Sequence, residues 1–262
     1  MRFAHIFAIL GVLILCNSAF AFERAIFTED FLVDNFELEL QSGVLFPGYN
    51  DVQIPGTEEG TRFSLRDDFE PDNEVFFRLS LQYSINDRHH LTFLFTPNKI
   101  YASGTLKEDV IFDGVTFLTD SKIDAVYKFN TWRLQYRYDF ILTKTVEFGL
   151  GVTAFIRDAE ISLQNVDDAD NKAAYDNVGF VGLLNFRLMV HFSKTVSMLM
   201  TGDLFAVSVG RAEDVFLGVV YQASEEFAFQ FGYRIIEGGA DNDKVYTFAL
   251  INYVAFGLVY NF

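Results

Sequence analysis

The sequence predicts an all-β chain: a membrane-spanning antiparallel up-and-down β-barrel of ten strands, with twelve as the alternative count. Three observations carry this. Apolar residues recur at every second position over stretch after stretch, which is the period of a strand whose two faces meet different media. Half of the 262 residues are hydrophobic and 31 are Phe, yet beyond the N-terminus no apolar run approaches the roughly 20 residues a membrane helix needs. Long acidic stretches alternate with connections of two to four residues, the asymmetry of a barrel with long loops on one side of a bilayer and tight turns on the other. A water-soluble barrel or sandwich would have to expose rows of Phe, Tyr and Leu to solvent.

The chain begins Met1-Arg2, is apolar from Ile6 to Leu15, and reaches Ala19-Phe20-Ala21. A basic start, a short apolar core and an A-x-A site read as a signal peptide, residues 1–21, cut after Ala21. The single cysteine, Cys16, follows Leu15, where a lipoprotein signal would carry a small residue, so lipidation is not expected. The remaining chain of about 240 residues then has no disulfide, thiol nucleophile or cysteine metal site, and suits one barrel domain. A net charge of −16 argues against nucleic acid as a partner.

Residues 22–34 have no clear period and are taken as an N-terminal lead on the periplasmic side, with the barrel over 35–262. The first strand is expected over Phe36–Phe46, ended by Pro47-Gly48. Tyr49 to about Asn73 reads as a long acidic loop with a short strand near Thr61–Leu65. Glu74–Ile85 alternates cleanly, Val75, Phe77, Leu79, Leu81, Tyr83 and Ile85 outward against Arg78, Ser80, Gln82 and Ser84 inward. A turn at 86–89 leads into His90–Pro97. Val110–Leu118 fits either a hairpin above the membrane or two further membrane strands. In Lys122–Phe140 the apolar parity slips near Asn130-Thr131, and a bulge there would restore one outward face.

Turns are expected at Leu142–Lys144 and Ser193-Lys194, strands at Val146–Ile156, Val178–Phe192 and Val196–Ala206, and an acidic loop at Gln164–Asn177. A short loop at Gly210–Glu213 precedes the pair Val215–Gln222 and Phe227–Ile236, and Gly238–Lys244 forms the last loop. In the final stretch, Val245–Phe262, every second residue from Tyr246 is apolar or aromatic except Asn252.

Phe262, Tyr260, Leu258, Phe256 and Val254 together resemble the C-terminal strand of bacterial outer-membrane β-barrels, which typically finish on Phe after alternating apolar residues. The resemblance is to the broad class and points to no single member. It implies a porin-like architecture in the outer membrane of a Gram-negative-type cell, contact with outer-membrane lipid, and recognition by the barrel-assembly machinery through Phe256, Leu258, Tyr260 and Phe262.

Chemistry-bearing residues concentrate on the inward faces. Arg78, Arg133, Arg137, Arg187 and Arg234 stand against Glu37, Glu39, Asp139, Glu147 and Asp203. A barrel of this size has little room for open water, so interleaved opposite charges are expected to pair across the lumen and plug it. A narrow polar path for small solutes is the alternative. His191-Phe192-Ser193 has the His-x-Ser spacing of lipid-deacylating barrels but abuts a short periplasmic turn, away from the outer leaflet where that chemistry occurs. His89 and His90 sit at another such turn and read as solvated. Asp67, Asp68, Glu70 and Asp72, and separately Asp167, Asp168 and Asp170, lack the spacing of a calcium loop and read as solvated loop acids. No catalytic, cofactor or metal set is assigned, and no cofactor is expected. The expectation for function is a surface-exposed outer-membrane barrel with a plugged lumen. The rivals are a small-solute pore and, last, a lipid-modifying or proteolytic enzyme, which would need a His/Ser or His/Asp set at the outer rim.

Overall fold

The computed structural model describes residues 36–262, so the expected signal peptide and the 22–34 lead lie outside the described residues. In chain order the strands are β1 (Phe36–Gln53), β2 (Phe63–Ser64), β3 (Glu70–Pro71), β4 (Glu74–Asn86), β5 (His89–Thr96), β6 (Lys99–Thr105), β7 (Val110–Phe112) and β8 (Val115–Phe117). There follow β9 (Lys122–Leu142), β10 (Val146–Asn165), β11 (Lys172–His191), β12 (Val196–Val207), β13 (Gly210–Gln222), β14 (Phe227–Asn242) and β15 (Val245–Asn261). Ten of them, β1, β4, β5 and β9 to β15, form a closed antiparallel ring in which each pairs with the next and β15 returns to β1. At that seam Phe36 and Phe262 exchange backbone hydrogen bonds of 3.2 and 3.0 Å and stack their rings. Closure leaves no strand edge unsatisfied in lipid.

The outward faces follow the expected parity. Val75, Phe77, Phe93, Leu134, Phe231 and Phe256 are all exposed large apolar residues on the barrel's exterior. The ring has its tight turns at one end, at 87–88, 143–145, 192–195 and 223–226.

At the other end the strands are longer than expected. A membrane crossing takes about 9–11 tilted residues, whereas β9, β10 and β11 have 21, 20 and 20. The expected acidic loop at 164–177 therefore shrinks to 166–171, and those at 210–213 and 238–244 become the tight connections 208–209 and 243–244. Likewise β1 is not ended by Pro47-Gly48. Its pairing to β15 shifts by one residue between Pro47 and Tyr49 and resumes to Gln53, so the proline, which lacks an N–H, is accommodated at a bulge.

The bulge expected at Asn130-Thr131 is absent: β9 pairs with β10 without interruption there, and the ladder shifts instead between Phe148 and Gly149. The parity slip has another cause. One face of β9 points inward throughout, and its chemistry changes on the way up. Arg133, Arg137 and Asp139 are buried in the membrane-level lumen, and on the same face Ile123 and Ala125 are buried in an apolar core beyond it. That second core gathers Val52, Ile54, Phe63, Phe112, Phe117 and Leu163, among others, from the upper ends of the long strands and from the small strands between them. The barrel thus has two storeys. The lower is apolar outside and largely polar inside, and the upper has the reverse arrangement of a water-soluble protein. The Val110–Leu118 segment belongs to the upper storey. Its strands β7 and β8 form a hairpin outside the ring, turned by Asp113 and Gly114 at φ 47 and 78, the left-handed pair that a two-residue hairpin loop requires.

One glycine is fixed by both its conformation and its neighbours. Gly43 has φ +154, and a Cβ there would lie 2.0 Å from the Val254 carbonyl oxygen across the closing seam.

Candidate functional site

At membrane level the lumen is filled by two layers of charge. The upper is centred on Asp214. One of its carboxylate oxygens lies 3.0 Å from Arg78 Nη1 and 2.7 Å from Arg133 Nη1, and the other accepts from Arg234 Nη1 at 2.5 Å. The three arginines come from β4, β9 and β14, so a single carboxylate ties together strands on separate parts of the ring. Asp203 completes the layer: it accepts from Arg133 at 2.6 Å, Thr153 at 2.6 Å, Asn185 at 3.0 Å and Gln135 at 3.0 Å. Both acids are almost fully buried. Buried charge is tolerated only when paired and hydrogen-bonded, and every oxygen of these two carboxylates is engaged. Arg234 also donates from Nε to Gln41 at 3.1 Å, reaching β1.

The lower layer lies toward the tight turns. Glu147 accepts from Arg187 Nη1 and approaches His191 Nε2, both at 2.8 Å, while His191 Nδ1 lies 2.8 Å from Ser197 Oγ. Asp139 accepts from Arg137 Nε and lies beside His90 Nε2, both at 2.9 Å, with His90 Nδ1 3.0 Å from Ser84 Oγ. Each is a hydroxyl–imidazole–carboxylate chain running across three adjacent strands, β4, β5 and β9 in one case and β12, β11 and β10 in the other. In both, the histidine lies next to the barrel's turn end because its strand begins or ends there.

Of the residues singled out from sequence, Arg78, Arg133, Asp203 and Arg234 meet in the upper layer, and Arg137, Asp139, Glu147 and Arg187 in the lower. Sequence reasoning missed Asp214, the hub, because it fell between an assumed loop and an assumed strand. Continuing the inward parity of Val220, Gly218 and Phe216 by two residues reaches it. His90 is not solvated as expected: β5 begins at His89, so parity turns His90 into the lumen, where it is buried, and leaves His89 outside against Tyr136. In His191-Phe192-Ser193 the serine is not the histidine's partner, since Ser193 Oγ accepts from the turn amides of Thr195 and Val196. No group of three or more His, Cys, Asp or Glu among the described residues is placed to hold a metal ion. The C-terminal residues Phe256, Leu258 and Phe262 are exposed on the exterior, with Tyr260 ring-stacked on Phe262 and Phe227.

Above the upper layer is a cavity of about 340 Å³. Its apolar wall includes Phe129, Phe155, Leu183, Phe205 and Ile236, its floor is Arg133, Asp203 and Asp214, and it extends to the exposed residues Val207, Val209 and Lys244 at the end away from the tight turns.

Among solved structures, the outer membrane protease OmpT of Escherichia coli superposes with a TM-score of 0.55 over 92% of this chain and 99% of that chain, at 8% sequence identity. The chain has the fold of a bacterial outer-membrane β-barrel. At that identity the likeness concerns the fold alone. The translocator domain of the autotransporter NalP from Neisseria meningitidis matches with a TM-score of 0.44 at 9% identity, over 99% of this chain and 96% of that one. Ail, the attachment invasion locus protein of Yersinia pestis, matches with a TM-score of 0.38 at 11% identity, over 86% and 99%. No protein-family model matches the chain, and no curated protein sequence matches it.

Proposed function

We propose that this outer-membrane β-barrel is an integral outer-membrane protein whose lumen is sealed by its salt-bridge layers and whose upper storey is displayed outside the cell. Export would remove residues 1–21, and the C-terminal strand ending in Phe262 would be the part read by the barrel-assembly machinery. The exterior rows of Phe, Leu and Val support residence in lipid, since in water they would form an apolar patch far larger than monomeric proteins expose. The observation that carries the sealed lumen is Asp214, held by guanidinium groups from three strands. The residues that a pore would leave facing water are here turned on one another.

The test is conductance of the refolded protein in a planar bilayer, wild type beside Arg133→Ala and Arg187→Ala. Silence in the wild type is the expected result. Steady wild-type channels whose conductance changes with either arginine would overturn the sealed reading in favour of a narrow pore for small solutes.

A further inference from the structure

We infer that the cavity above the charged layer is a binding site for a small amphiphile with an apolar ring or chain and one anionic head group. The inference rests on the sealed lumen, because the layer centred on Asp214 is what makes the cavity a closed-bottomed cup instead of a segment of a channel.

Size and lining fit such a ligand. A volume of about 340 Å³ lies at the small end of ligand pockets, which span roughly 300–1,000 Å³ and combine apolar walls with a few placed polar groups. Here Phe129, Phe155, Leu183 and Phe205 form an apolar wall. The opposite side is lined by Gly238, Ala240 and Ala249, whose small side chains leave the space open.

The head-group preference comes from two arginines. Arg133 is almost wholly buried, yet its Nε has no hydrogen-bond partner. Arg157, two residues from Phe155 on the same inward face of β10, also has a buried Nε without a partner among the described residues, where its side chain makes one hydrogen bond, a long one of 3.4 Å from Nη2 to Asn177. Both side chains line the cavity. A guanidinium carries five donors and no acceptor, and a buried donor left unpaired is destabilising, so an acceptor in the cup would relieve both. Charge points the same way. Arg78, Arg133, Arg157 and Arg234 face Asp203, Asp214 and, beside Arg78 and Arg234, Glu39, four positive charges against three negative. The other acids along the cavity, Glu160, Glu213 and Glu237, sit at outward positions of β10, β13 and β14, where Lys128 pairs with Glu160 and Arg211 with Glu237. An anion entering the cup therefore meets the unpartnered Nε donors of Arg133 and Arg157, and its carboxylate or sulfonate oxygens match the fork of a guanidinium.

The probe is 2-naphthoate, with 2-naphthylmethylammonium as the cation of the same shape, titrated calorimetrically into the refolded full barrel in lipid nanodiscs against empty discs. We expect saturable naphthoate binding and none of the ammonium. Arg157→Gln lies outside the plug, so the fold is kept, and it should weaken naphthoate at least ~10-fold, about one charge-assisted hydrogen bond. Val181→Trp, which fills the cup from its wall, should abolish binding. Heat no greater than that of empty discs, equal binding of the ammonium, or naphthoate binding unchanged by Val181→Trp would each overturn the proposal. A failure of the sealed-lumen reading appears separately, as current through the wild-type barrel.

Discussion

Replacing Asp214 by Asn keeps shape and volume but removes the charge at the centre of the upper layer. The layer holds Arg78, Arg133 and Arg234 against Asp203 and Asp214, three positive charges against two negative. In Asp214→Asn the ion-paired groups become three against one: Arg133 keeps its ion pair to Asp203, while Arg78 and Arg234 lose theirs and retain the field of Glu39. Removing one partner from a buried ion pair costs about 3–5 kcal/mol, because the remaining charge stays buried without compensation. Here two guanidinium groups are stranded, so we expect the upper part of that range. Arg78→Met does the opposite: the layer becomes two against two, Asp214 retains Arg133 and Arg234, and the cost should stay below about 2 kcal/mol. In the double variant, Arg78→Met should recover part of the loss, a coupling of about 1–3 kcal/mol. The assay is denaturant unfolding of the barrel refolded in lipid vesicles, with the folded fraction read from the difference in gel mobility before and after heating. If Asp214→Asn lay within about 1 kcal/mol of wild type, or if Arg78→Met cost more than Asp214→Asn, the charge reasoning would be wrong.

Three further outcomes are expected. Phe231→Lys, at the middle of the β14 crossing and highly exposed to lipid, should destabilise by about 2–4 kcal/mol, and Phe227→Lys, beside the turn, by about 0–1 kcal/mol; equal costs in vesicle unfolding would reject the placement of the bilayer. Gly43→Ala should cost about 1–3 kcal/mol through its positive φ and the clash with Val254 across the seam, and a variant as stable as wild type would count against that geometry. Just past the Pro47 bulge, beyond the apolar belt, burial and a hydrogen bond to Glu237 push the Tyr49 hydroxyl up to about 12 from 10.0. Its folded-state pKa is the higher one, so its contribution is complete below pH 10 and is lost as pH rises toward 12. Phenolate absorbance followed against pH should show one fewer late-titrating tyrosine in Tyr49→Phe than in the wild type.

The lower storey was legible in the sequence because lipid demands a uniformly apolar exterior: Val75 to Ile85 and Phe227 to Ile235 announce their facing with little ambiguity. The inward arginines and acids followed by alternation. What was illegible shares one cause. Above the membrane the outward face meets water, so the pattern inverts, and Ile123, Ala125 and Tyr127 look out of phase with Trp132 and Leu134 although the strand runs on unbroken. Reading each inversion as the end of a strand stretched the connections 166–171 and 243–244 into loops at 164–177 and 238–244, and cut β13 short of Asp214. Pairing within the plug was out of reach for a different reason. Nothing in the local sequence of Arg78, Arg133 and Arg234 says that all three converge on one carboxylate from β13. The Asp113-Gly114 turn was a readable signal for the β7–β8 hairpin.

The inversion along single strands also acts as an anchor on immersion depth. On β9 the outward series passes from Phe140, Tyr136 and Leu134 through Trp132 to Lys128 and Asp124 within a few residues, and Trp132 stacks on Phe95 near that boundary. A strand rises about 3.4 Å per residue. Sinking the barrel by two residues would therefore drag Lys128 and its paired acids toward hydrocarbon, and raising it by two would lift lipid-facing Phe and Leu at the turn end into water. Because neighbouring strands are locked in register around a closed ring, none can adjust alone. The waterline is thus set by the whole ring at once, and a thinner bilayer has to deform to meet the protein, since the protein cannot slide to meet the bilayer.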